Sequence, residues 1–201
     1  MDGQLSDGRA QAGGRDLLPA SYRLLGLLPL AFFLAHAYYY WRRGEPSHIL
    51  WMCNIGNLLL SAGIFLAQPA VIRVAVIWLI PGLLIWLWYV VRLSGLLFTS
   101  TLAHVGGLAV GLFVLRRVGV TRVTWLHALA WYLFLQGASR LFTPPEMNVN
   151  IAHRVYEGWG EIFGSYFEFW LVTTLVIAAL LWLIVFSLAK LLPPRQTPGA
   201  S

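Results

Sequence analysis

The chain is expected to be an all-α, polytopic membrane bundle of about six transmembrane helices, and three observations lead there. Its 201 residues are 59% hydrophobic and only 11% charged, less than half the charge of an ordinary soluble domain. Mean hydropathy is +0.70. The apolar residues also fall in blocks of about twenty, the length that carries a helix across a bilayer core. A water-soluble globule is excluded. So is a nucleic-acid binder working through a basic surface, and the net charge of +6 bears instead on orientation and lipid headgroups. The single cysteine, Cys53, excludes an intrachain disulfide and a cysteine-based zinc site.

The elements follow in order. Residues 1–16 are polar and Gly-rich without apolar periodicity and read as a disordered tail. The first span is expected over Tyr22 to Trp41, with Pro29 inside it and Arg42 and Arg43 after it. A cleavable signal peptide is the rival, because Ala35-His36-Ala37 imitates a cleavage site, but the long polar leader and bulky aromatic exit speak against it. The second span is expected over His48 to Ala67, before Gln68-Pro69, and the third over Ala70 to Val91, with Pro81 inside it. Such a proline frees a carbonyl that neighbouring helices must satisfy. The fourth is set at Leu96 to Leu115, stopped by Arg116-Arg117 and Gly119, and the fifth at Val123 to Phe142, stopped by Pro144-Pro145. A longer connection, Thr143 to Gly164, leads to the sixth, Phe167 to Leu188. Residues 17–192 thus make one transmembrane domain, and 193–201 a short disordered tail. Six crossings put both termini on one side. Nine of the fourteen Lys and Arg fall on that side and five opposite, so both termini are expected in the cytoplasm.

Polar side chains inside spans are costly unless paired, so their depth is informative. On these boundaries Cys53 lies roughly 8 Å below the outer end of span two, His36 roughly 8 Å from the exit of span one, and His104 roughly 12 Å into span four. His127 belongs to the inner layer. A thiol with a histidine in reach is a nucleophile and base for acyl transfer, and Asn54 or Asn57 would support the oxyanion. The plain alternative is that Cys53 is a small hydrophobe, that Asn57 and Ser61 are interhelical glue, and that Gly107 and Gly111 are a close helix contact. In the outer connection, a short interfacial helix starting over Ile151 to Tyr156 would set His153 and Glu157 on one face. With Asn148, Asn150 and Arg154 it would form a headgroup clamp, or simply a solvated connector.

Three segments resemble the YwaF-like integral membrane family of bacteria, which is related to the transmembrane ether-phospholipid acyltransferases. They are His48-Ile49-Leu50-Trp51-Met52-Cys53-Asn54-Ile55, Ala103-His104-Val105-Gly106-Gly107 with the basic turn after it, and Asn148-Val149-Asn150. The resemblance implies a catalytic pair at Cys53 and His104 and a place in the bacterial inner membrane. The expected activity is a phospholipid or lysophospholipid acyltransferase or acyl hydrolase that needs no metal or cofactor. His36, Asn148, Asn150, His153 and Arg154 are the candidate substrate contacts. The rival classes are a metal or haem protein built on His36, His104 and His153, and a small transporter or structural partner, which the lack of an evident inverted repeat weakens.

Overall fold

The computed structural model describes residues 18–93 and 97–194, which excludes the expected tail 1–16 and most of 193–201. Among the described residues there is no strand, and the fold is an all-α bundle of six longer helices. They are α1 (Ala20–Arg42), α2 (Met52–Phe65), α3 (Pro69–Leu93), α4 (Phe98–Val118), α5 (Thr124–Phe142) and α6 (Tyr166–Leu191). Four of these, α1, α3, α4 and α6, are long and apolar enough to cross a membrane, which makes the chain an integral membrane protein. Their surfaces agree: Leu24, Leu175, Val176, Leu183 and Val91 are all more than half exposed, as side chains facing lipid should be and as a soluble monomer would rarely tolerate together.

The central element is α3. Ile72, Ala75, Val76, Ile77 and Leu79 are fully or almost fully buried against α2, α4 and α5. Trp78 donates its indole N–H to the Ala128 carbonyl of α5 (2.9 Å), satisfying a polar tip that hydrocarbon would punish. At the other side of α3, Arg73 donates to the carbonyls of Val118 and Gly119 (both 2.9 Å), closing the C-terminus of α4 in place of a further helical turn. Gly119 is required there: its φ is +64°, and a Cβ would run into the backbone of Pro193.

Two local departures from the expected helices shape the site. The second helix begins later than His48. Pro46–Leu50 is a 3-10 turn and Trp51 is extended (ψ 136°), so the α-helix opens at Met52 and Cys53 is its second residue rather than five residues inside. The other departure lies in α4, where Leu102–Gly106 forms a single π turn, a feature that often accompanies function because it releases a carbonyl from the ladder. Within this turn the Ala103 carbonyl accepts from Asn57 of α2 (2.8 Å). The interfacial helix expected from Ile151 is not formed. Val149–Ile151 is a 3-10 turn, and the chain from Ala152 onward is irregular, so His153 and Glu157 share no helical face. The reason is local: Asn148, Asn150 and Ile151 all take left-handed backbone angles (φ 43°, 53° and 52°), which a right-handed helix cannot absorb.

Candidate functional site

A cavity of about 480 Å³ opens between the helix ends that meet the α1–α2, α3–α4 and α5–α6 connections, within the range of small-ligand sites. His36 and Tyr40 enter it from α1, Cys53 and Asn54 from α2, Trp78, Pro81 and Trp86 from α3, and Ser100 and His104 from α4. His48 and Trp51 line it from the turn before α2, and Asn150 and Ile151 from the connection after α5. The late start of α2 explains how Cys53 meets the two histidines. The 3-10 turn occupies the layer before it, so the first helical turn of α2 meets residues set six positions before the end of α1 and six positions after the start of α4, about 9 Å along each.

The imidazoles of His36 and His104 are each held by Nδ1. His104 Nδ1 lies 2.8 Å from the Ser100 carbonyl one turn earlier, and its ring stacks on Trp86 with centroids 5.6 Å apart. A carbonyl only accepts, so the neutral ring carries its proton on Nδ1 and presents Nε2 as a lone pair. His36 Nδ1 is 3.1 Å from the Thr99 hydroxyl, and its nearest titratable neighbours include His104 and His48. An aromatic ladder continues outward from His36 through Tyr40 to His48, at 4.8 Å per step.

Cys53 packs its Cβ against the space left by Gly82 in α3, where an added Cβ would stand 3.2 Å away. Its sulfur lies near the backbone N–H groups of Cys53 itself and Asn54, the second of which already donates to the Trp51 carbonyl (2.9 Å). Among the described residues the hydrogen bonds of His104 run to Ser100 alone, so the thiol and the imidazole share the cavity without a hydrogen bond between them.

The asparagines divide by role. Asn57 lies outside the cavity: both of its amide hydrogens are committed, to the carbonyls of Cys53 (3.0 Å) and Ala103 (2.8 Å), so none remains for an oxyanion. Asn54 lines the cavity but donates to the His48 carbonyl (2.8 Å), while its buried Oδ1 has no partner. Asn150 ties the α5–α6 connection to the start of α2. It accepts from the Met52 N–H (3.0 Å) and donates to the Leu50 carbonyl (2.8 Å) and the Ser139 hydroxyl (2.9 Å).

Of the expected substrate contacts, His36 and Asn150 reach the cavity and Asn148, His153 and Arg154 do not. Asn148 Oδ1 instead accepts from the N–H groups of His153 and Arg154. The His153 ring lies against Thr143 and Ser139, and Arg154 donates to the Glu146 carbonyl. These groups build the connection itself and lie away from the cavity. Among the described residues no group of three His, Cys, Asp or Glu side chains is placed to hold a metal ion, and His153 stands apart from His36 and His104.

Sequence reasoning missed Tyr40, His48, Thr99, Ser100 and Trp86. Two had a signal: Tyr40 and Ser100 stand four positions from His36 and His104, on the same helical faces. No protein-family model, curated protein or solved structure matches the chain.

Proposed function

We propose that the cavity carries out thiol-dependent acyl transfer or acyl hydrolysis on a membrane phospholipid or lysophospholipid. The observation behind this is the convergence of Cys53 and His104, from two helices, on one apolar cavity. His104 Nε2, left open by the Ser100 contact, takes the thiol proton as sulfur attacks the ester carbonyl, then returns it to the departing alcohol. The oxyanion falls to the Cys53 N–H at the start of α2, since the N–H groups of Met52 and Asn54 already donate to Asn150 Oδ1 and the Trp51 carbonyl, and not to Asn57. The acyl thioester then passes its chain to a lipid hydroxyl or to water, and the route asks for no metal or cofactor. Sulfur and ring are not hydrogen-bonded to each other in the cavity, and catalytic hydrogen bonds tighten in the bound complex. The YwaF-like resemblance implies the same pair and adds to the reading. So does the charge asymmetry, which favours cytoplasmic termini, a site toward the outer leaflet and, with the resemblance, the bacterial inner membrane.

The test is acyl transfer from labelled phospholipid in liposomes holding the wild type, Cys53→Ala or His104→Ala. Each substitution should lower the rate at least about 100-fold, the low end for losing a nucleophile or general base. Equal transfer by all three would overturn the proposal.

A further inference from the structure

The chemistry of the cavity wall narrows what can enter it. The chain has fourteen Lys and Arg and eight Asp and Glu, yet among the described residues none of these lines the cavity. A phosphate drawn inside would give up its water and meet no counter-charge. The wall also has a defined hydrogen-bonding sense. His104 Nδ1 is turned to a carbonyl, so Nε2 is an acceptor. Asn54 donates Nδ2 to the His48 carbonyl, which fixes the amide against a flip, and its Oδ1 is left as a buried acceptor without a partner in a side chain only 3% exposed. His104 Nε2 and Asn54 Oδ1 both wait for a donor, while the Tyr132 hydroxyl, which accepts from Gln136 Nε2 (2.9 Å), presents a donor to the same cavity, so the wall suits a group that both donates and accepts.

We propose that the cavity takes the polar end of an uncharged, hydroxyl-bearing amphiphile, an acylglycerol or a long-chain alcohol, and that this hydroxyl is the acyl acceptor. The headgroup of a phospholipid donor stays outside. The acceptor role rests on the Cys53–His104 reading above; the binding preference stands on the wall alone. In the transfer step the hydroxyl proton goes to His104 Nε2 and its oxygen bonds to the thioester carbonyl carbon. The carbon–sulfur bond then breaks, and the thiolate recovers the proton, so an ester and a free thiol result.

Three probes sharing one acyl chain test this, each with a diazirine on the carbon beside the polar end: a monoacylglycerol, a methyl ester without a hydroxyl, and a lysophosphatidate. They are photolysed with the wild-type protein in nanodiscs, and labelled peptides are mapped by mass spectrometry. The monoacylglycerol should label residues 50–57 and 98–107 at least about tenfold more than the lysophosphatidate. It should exceed the methyl ester about fivefold, the worth of one ordinary hydrogen bond. His104→Phe, which keeps the ring and removes the lone pair, should cut monoacylglycerol labelling there by a similar factor, while labelling along the lipid-facing side of α6 stays constant. Cavity labelling by the lysophosphatidate or the methyl ester equal to that by the monoacylglycerol would overturn the proposal. So would no cavity labelling by the monoacylglycerol. Labelling is read without turnover, so failed acyl transfer with the labelling pattern intact would count against the Cys–His chemistry and not against the binding preference.

Discussion

Asn57 and Gly107 form a lock between α2 and α4. A Cβ on residue 107 would collide with the Asn57 amide, and that amide is pinned by its two donated hydrogen bonds, so it cannot step aside without orphaning buried carbonyls. Gly107→Ala should therefore destabilise the protein by about 1–3 kcal/mol, the usual cost of overpacking a tight contact. Asn57→Ala should cost about 1–2 kcal/mol through the lost bonds. The combination should cost clearly less than the two added together, because removing the amide clears the space that the new methyl needs. Thermal unfolding in detergent of the two single variants and the double variant measures this, and strict additivity would show that the two residues are not locked. The sequence displays both partners, one as possible interhelical glue and the other in a small-residue helix contact. Their pairing is not legible there, because the π turn at Leu102–Gly106 alters the phase of α4 just before Gly107, and regular 3.6-residue periodicity does not anticipate such a turn.

At the scale of elements, helix limits were largely readable and the opening of α2 was not. The observed limits of α1, α3, α5 and α6 fall within about three residues of those expected from proline stops and apolar length, since those signals are local. The start of α2 is set by Asn150, which lies 98 positions along the chain from the Met52 N–H it accepts from, and a cap supplied from so far away leaves no local trace. The same side chain holds the α5–α6 connection over the cavity, with Ile151 beside it in the wall. Asn150→Ala would delete three hydrogen bonds at once and leave the Met52 N–H and Leu50 carbonyl unpaired. We expect faster amide exchange in residues 50–54 and 143–155, with α3 and α4 still protected, because their burial does not depend on this contact. Exchange that rises uniformly through the bundle would instead make Asn150 a determinant of global stability. Unchanged exchange would show that the connection is held by other contacts, such as the bond from Arg140 to the Ala152 carbonyl.

For the whole molecule, fold class and membrane character were legible from composition, because four helices of mean hydropathy 1.3 to 2.7 cannot hide their surfaces in a chain this small. The paths of the remaining two helices rest on a tighter argument. The 14 residues of α2 rise roughly 21 Å at 1.5 Å each, short of a hydrocarbon core of about 30 Å. The five-residue 3-10 turn before it adds roughly 10 Å at 2.0 Å each, which nearly closes the difference if the two segments cross together. The 19 residues of α5 rise roughly 28 Å. Gln136, which accepts from the Trp170 indole (2.8 Å), and Ser139, bonded to Asn150, lower its apolar character without exposing an unpaired group to lipid. Both helices should therefore cross, leaving Glu45 and Glu157 on one side and Gln68 and Arg116 on the other. In a Cys53→Ser background, single cysteines at these four positions can be probed in spheroplasts with a membrane-impermeant maleimide. Cysteines at 45 and 157 should label in intact spheroplasts, and those at 68 and 116 only after permeabilisation. Labelling of 68 together with 45 would make α2 a re-entrant element, and labelling of 116 together with 157 would remove α5 from the crossings. A clean inversion of all four would keep the six crossings and turn the bundle over, which would move the cavity to the cytoplasmic leaflet and change which pool of lipid it can reach.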